Sequence, residues 1–231
     1  MNKALISVAA LAAVAGTASA GAPISFQITE AFVGLSGEDG TSDWFEITNT
    51  GANSFDTGIL FYDDSSPSLG SAGQLDSFVL ATGESAVFLI DSDPADDVTY
   101  TTSIEEFLAI WALSAGDINL GLANGGGGLG QGGDEVNVGI NDGGSLDVLA
   151  TLVTEPGQSG LLQTIEQLTN GTTNNSVLGL NGAFESNPFF NDNLGLPNDT
   201  AILIGSPGVI PAPASAALLG LGGLAAARRR R

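Results

Sequence analysis

The sequence predicts an all-β protein, a β-sandwich carrying one short helix, with an apolar segment at each end of the chain. Three observations lead there. Short apolar runs in the middle of the chain alternate with polar residues at a period of two, the pattern of half-buried strands. Turn residues interrupt these runs repeatedly, and Gly alone occurs 33 times in 231 residues; chains of many short strands and many turns pack as sandwiches. One segment shows the helical period instead.

The strands follow in order. Ile24-Ser25-Phe26-Gln27-Ile28 alternates cleanly, and Phe45-Glu46-Ile47 does the same before Asn49-Thr50-Gly51 ends it. Ile59-Leu60-Phe61-Tyr62 stops at Asp63-Asp64. Ser77-Phe78-Val79-Leu80 and Ala86-Val87-Phe88-Leu89-Ile90 flank Thr82-Gly83-Glu84, a spacing that predicts a hairpin. Val136-Asn137-Val138-Gly139-Ile140, residues 148–153 and residues 201–204 complete the set. The helix begins at Ser103-Ile104-Glu105-Glu106, a capping box in which Ser caps the first turn and Glu reaches back three residues later. Ile104, Phe107, Leu108 and Trp111 then fall on one face, and Ser114-Ala115-Gly116 marks the end. Such a helix is expected to plug one open end or edge of the sandwich.

The two ends have a different character. Residues 1–20 place Lys3 before an apolar run and close on small residues at Ala18 and Ala20, the layout of a secretory signal peptide cut between Ala20 and Gly21 by signal peptidase. At the other end, Pro211-Ala212-Pro213 precedes an uncharged stretch at 214–227 and then Arg228, Arg229, Arg230 and Arg231. An apolar stretch followed by Arg halts transfer, with the Arg on the cytoplasmic side. Fourteen residues are short of the ~20 of a lasting span, so a temporary anchor is expected. The tripartite order of 209–231 resembles the PEP-CTERM sorting signal of bacterial exported proteins. That resemblance implies cutting at the proline motif by a membrane protease of the exosortase type. Ala212 departs from the Glu most common in that family. Between the signals, residues 21–208 form one domain's length of chain.

Charge narrows the function. All 26 Asp and Glu lie from Glu30 to Asp199, the 5 Lys and Arg lie at the two ends, and the chain has no His. The formal net charge is −21, and removal of both ends leaves a body with acidic side chains alone. Nucleic-acid binding needs Lys or Arg to neutralise phosphate, so it is excluded. Anionic membrane surfaces are disfavoured for the same reason. Screening by a saline habitat and specific Ca2+ binding both fit such a composition. No Cys is present, which excludes disulfides, thiolate metal sites and thiol nucleophiles.

Catalysis is expected to be absent. A Ser or Thr nucleophile needs a base such as His or Lys, which the body lacks. Acid–base chemistry would fall to carboxylates alone, as in glycoside hydrolysis. Gly125-Gly126-Gly127-Gly128 is followed by Gln131-Gly132-Gly133-Asp134 rather than the Lys of a phosphate loop, and reads as a flexible loop. No cofactor is implied beyond weak Ca2+. The best cation candidate is Asp91, Asp93, Asp96 and Asp97, four oxygen donors within seven residues, without the Gly and Glu positions of an EF-hand. Asp134-Glu135, Asn141-Asp142-Gly143 and Asp63-Asp64 are weaker candidates. Asn170, Asn174 and Asn198 fit the glycosylation pattern but read as polar loop residues.

The body also resembles the bacterial secreted lamin tail domain. Ile28-Thr29-Glu30 is similar to that family's first strand, and Asp43-Trp44-Phe45-Glu46-Ile47-Thr48-Asn49-Thr50-Gly51 to its second. Leu80-Ala81-Thr82-Gly83-Glu84-Ser85-Ala86-Val87 resembles its hairpin. Gly132-Gly133-Asp134-Glu135-Val136 resembles a later strand entry, and Ile204-Gly205-Ser206-Pro207-Gly208 the way such domains close. The resemblance implies an immunoglobulin-like sandwich without activity, used as an accessory or interaction module. The combined expectation is an exported, non-enzymatic protein of the cell surface or extracellular matrix. Its expected partners are exopolysaccharide or other surface proteins, and it meets the membrane only transiently through its tail. The alternative is a secreted Ca2+- or glycan-binding module.

Overall fold

A computed structural model describes residues 24–34, 42–90, 104–158, 161–190 and 200–209. The described chain is mostly β-strand with a single short α-helix. The strands are β1 (Phe26–Phe32), β2 (Trp44–Asn49), β3 (Phe55–Asp56), β4 (Leu60–Asp63), β5 (Gly73–Leu75), β6 (Val79–Leu80) and β7 (Ser85–Ile90). After α1 (Ile104–Ile110) come β8 (Asn119–Asn124), β9 (Asp134–Asp142), β10 (Ser145–Thr154), β11 (Ile165–Gln167) and β12 (Thr173–Asn175). Four short strands complete the described residues: β13 (Phe184–Glu185), β14 (Phe189–Phe190), β15 (Thr200–Ala201) and β16 (Ile204–Gly205).

Ten strands form one sheet in the order β10-β9-β4-β5-β8-β7-β2-β1-β11-β12. The sheet curls until β10 lies against β1 and β12. Gln167 Nε2, on β11, fixes this closure by donating to the Thr151 carbonyl on β10 at 3.0 Å. Its pairings are antiparallel except β7 with β8, which run parallel. A parallel pair needs a long crossover, and α1 lies in that crossover. The β9–β10 hairpin turns through Gly143 and Gly144, both at positive φ, as a tight two-residue turn requires.

Two cores result. The inner one fills the curl with Ile28, Ala31, Phe45, Ile47, Leu60, Tyr62, Phe88, Val136, Val138, Leu152 and Ile165. The outer one covers the opposite face of β1, β2 and β7 with Phe32, Trp44, Val87 and Leu89, under Phe107, Ile110 and Trp111 of the helix region and Leu203. Trp44 meets Phe107 and Trp111 edge-on, with ring centroids 5.7 and 6.0 Å apart. Strand β2 is therefore buried on both faces along its whole length.

The structure corrects several sequence expectations. The helix lies across a face of the sheet instead of plugging an end, because the parallel crossover carries it there. It spans Ile104–Ile110, with Trp111 just past it; Ser103 lies outside the described residues. Strands β6 and β7 do not form a hairpin. The turn at Gly83 is present, with φ +82°, but β6 pairs with β3 while β7 pairs with β2 and β8. Residues 201–204 contribute to two strands, since β15 pairs with β14 and β16 with β13. Ile59 belongs to a 3-10 turn ahead of β4.

Candidate functional site

The unusual chemistry of the fold lies on the outer face, below the segment 203–209. A bulge at Thr29 resets β1 so that Glu30 stands directly opposite Glu46 on β2, and on its other side opposite Glu166 on β11. Three carboxylates thus line up in register across three neighbouring strands. They are 2, 1 and 8 % exposed respectively. Like charges facing each other on adjacent strands destabilise a sheet, and burial raises the cost further. No Lys, Arg or His exists in the body to neutralise them.

The row is held by hydrogen bonds from the chain's last described segment. Glu30 Oε1 accepts from the Ser206 amide at 2.8 Å and from the Thr164 hydroxyl, and its Oε2 accepts from the Ser206 hydroxyl at 3.0 Å. Glu46 Oε2 accepts from the Gly208 amide at 2.6 Å, and its Oε1 from Thr29 Oγ1 at 2.6 Å. Two glycines let the strap come this close. A Cβ on Gly205 would stand 2.6 Å from Thr164 Cγ2 and 2.8 Å from the Trp111 ring. Gly208 has φ +76°, and a Cβ there would overlap Ile118. Glu166 Oε2 accepts from Asn181 Nδ2 at 2.7 Å, while its Oε1 is buried with no hydrogen-bond partner.

Burial pushes both central carboxyls up. Glu30 is raised to about 7, chiefly by desolvation, with Glu166 adding repulsion against its three hydrogen bonds. Glu46 is raised to about 8 by desolvation and then by the charge of Glu30. The two titrate as a pair, and near neutral pH the pair keeps a proton. Hydroxyls can accommodate it. Thr29 Oγ1 lies 3.1 Å from Thr48 Oγ1, which lies 2.7 Å from Ser85 Oγ, and each can donate or accept. Thr164 and Ser176 form a similar pair at 2.6 Å beside Glu30. The arrangement binds protons and fastens the strap. Its carboxylates accept from the protein's own donors, with Glu166 Oε1 the exception.

A second acidic group surrounds the glycine-rich loop. Asp43 accepts from the Gly34 amide at 2.6 Å and the Leu129 amide at 2.8 Å, and burial raises it to about 6. Asp134 accepts from the Gly130 amide at 2.6 Å. Gly125, Gly126 and Gly127 all have positive φ, and a Cβ on Gly126 would overlap Tyr62. The loop expected to be flexible is therefore bonded into the fold. Burial and the nearby Asp43 raise the Tyr62 phenol, which donates to the Gly127 carbonyl at 3.1 Å.

Of the residues singled out in the sequence, Asp91, Asp93, Asp96 and Asp97 lie outside the described residues, as do Ala18, Ala20, Gly21, Pro211, Ala212, Pro213, Arg228, Arg229, Arg230 and Arg231. The weaker acidic candidates organise turns. Asp63 Oδ2 accepts from the Ser68 amide at 2.6 Å and the Ser71 hydroxyl at 2.9 Å, and Asn141 Oδ1 accepts from the Gly144 amide at 3.0 Å in the β9–β10 turn. Among the described residues no group of three or more acidic side chains converges to hold a metal ion, and no helix is long and apolar enough to cross a membrane. Sequence reasoning missed the Glu30, Glu46 and Glu166 row. The available signal was a Glu inside each of two apolar strands in a body without cations.

Compared with known proteins, the chain matches no family model, no curated protein and no solved structure.

Proposed function

We propose that this is an exported, non-catalytic module of the cell surface or extracellular matrix, an immunoglobulin-like sandwich trimmed at both ends, with a structural or interaction role. The observation that carries the reading is how the body uses its charge. All its charged side chains are acidic, and among the described residues the two carboxyls with the most perturbed acidity are sealed at 1–2 % exposure. A general acid or base must reach a substrate proton. Glu30 and Glu46 instead bond to Ser206, Gly208, Thr29 and Thr164, which are groups of their own chain. They fasten the segment that leads into the sorting tail. A tail that must be presented to a membrane protease benefits from a body that ends on a firmly docked strap. The sequence supports the export half of the proposal through the signal at 1–20 and the Pro211, 214–227 and Arg228 order.

Intact-mass measurement on the protein from its native cells tests the reading. The expected species begins at Gly21 and ends upstream of residue 214. Recovery of a chain that keeps both Met1 and Arg231 would overturn it.

A further inference from the structure

The strap ends beside an exposed apolar loop. Val177, Leu178 and Leu180 are 52, 51 and 57 % exposed, and Val209 is 36 % exposed. The loop has a fixed shape. Gly179, Asn181 and Gly182 adopt positive φ, and the Leu180 amide donates to the Val177 carbonyl at 2.9 Å. The Gly179 and Ala183 amides donate to the Ala183 and Leu180 carbonyls at 2.9 and 2.8 Å. Val209 packs on Gly182 so closely that a Cβ there would overlap it. The same loop is pinned from below by Asn181 on the buried Glu166. Residues 167–184 form the longest uncharged run between Glu30 and Asp199. An acidic body is repelled by anionic lipid, and the loop itself carries none of that charge.

The length of chain outside the structure selects the occupant. Four residues, 210–213, separate Val209 from the apolar stretch at 214–227. Four extended residues reach at most ~14 Å. With residues 214–227 inserted, as in the function proposed above, the face around Val209 is tethered against the lipid headgroups. We propose that the loop at residues 177–180, with Val209 beside it, is a lipid-contact surface on which the body rests while its tail is inserted. The leucines that the loop holds outward then lie at the bilayer interface, where burial of apolar side chains is favourable. The body would sit in one orientation over the membrane, with the Pro211 segment at a fixed depth.

Site-specific labelling of the full chain tests this. The chain has no Cys, so Leu178→Cys, Ile59→Cys and Leu219→Cys each give one site for an environment-sensitive fluorophore. Leu178 and Ile59 are both exposed, so neither substitution disturbs a core. Ile59 precedes β4, on the far layer of the curled sheet. In phosphatidylcholine vesicles, a quencher carried on the lipid is expected to quench the labels at 178 and 219 severalfold more than the label at 59. If the label at 219 is quenched and that at 178 behaves like that at 59, the lipid-contact surface is refuted and the tail anchor stands. If the label at 219 is not quenched, the tail does not insert and both readings fall. A blue shift at 178 that grows with protein concentration in the absence of vesicles would make the patch a contact between copies and overturn the proposal.

Discussion

The inner and outer cores rest on the same three strands and differ in what they bury. Inside the curl, β1, β2 and β7 present Ile28, Ala31, Phe45, Ile47, Ala86 and Phe88 to other apolar side chains. On the opposite face the same strands present Phe32, Trp44, Val87 and Leu89 at one end and Glu30, Glu46, Thr48 and Ser85 at the other. The outer core also leaves Trp44 Nε1 and Trp111 Nε1 buried without a partner, as well as Glu166 Oε1. An apolar core is indifferent to pH, whereas a core containing carboxyls is not. The contrast separates a part of the molecule that supplies cohesion from a part that ties the segment 203–209 to the sheet under conditions set by protons.

Changing pH should break that symmetry most strongly. Glu30 and Glu46 hold protons in the folded state up to about 7 and 8, while the unfolded chain releases them near 4.5. A raised folded-state value gives stability that is fully present below the unfolded value and lost as pH rises through the folded one. Each retained proton changes stability by about 1.4 kcal/mol per pH unit within that window. Asp43 adds the same sign between 3.8 and about 6. Urea midpoints should therefore fall from pH 5.5 to pH 8.5, by several kcal/mol in unfolding free energy. Equal midpoints, or a higher one at pH 8.5, would show that the row is not protonated.

Damage to the inner core should cost a comparable amount with a different signature. Leu60 is fully buried there, and Leu60→Ala is expected to lose about 2–5 kcal/mol. The loss should be the same at pH 5.5 and 8.5, because Leu60 belongs to the apolar cluster inside the curl. A loss that varies with pH would mean that the two cores are coupled. Gly205→Ala acts on the outer side. Its Cβ meets Thr164 and Trp111, so the strap must lift, at a cost of about 1–3 kcal/mol. Hydrogen exchange should report faster opening at Ser206 and Gly208 in this variant while β9 and β10 stay protected. Faster exchange throughout would instead indicate one undivided cooperative unit.

The inner core was largely legible in the sequence and the outer one was not. Alternation in Phe45-Glu46-Ile47 marks which residues point into the curl, and Phe45 and Ile47 are indeed there. The same alternation treats Glu46 as the solvent-facing position. What covers Glu46 is Gly208, 162 residues away, and a local period carries no information about so distant a contact. The spacing of Phe107, Leu108 and Trp111 gave the helix, since a helical face is a local property. Its resting place was set by the parallel β7–β8 pairing. The Gly83 turn likewise looks the same whether or not its flanking strands pair. The carboxylate row could be suspected only by asking what neutralises a Glu among apolar neighbours in a body without cations.

A single substitution sharpens the comparison at the smallest scale. Glu46→Gln replaces a carboxyl that keeps its proton to about pH 8 with a group that never ionises. The amide has one oxygen where Glu46 had two acceptors, for Thr29 and for Gly208, and its NH2 must face one of those donors. Thr29 can rotate its hydroxyl and accept instead, so at pH 5.5 the variant should lose only about 1 kcal/mol. Its pH slope should be shallower by about one proton, so that the variant matches or exceeds the parent chain at pH 8.5. If Glu46→Gln leaves the slope unchanged, the proton is not held on Glu46.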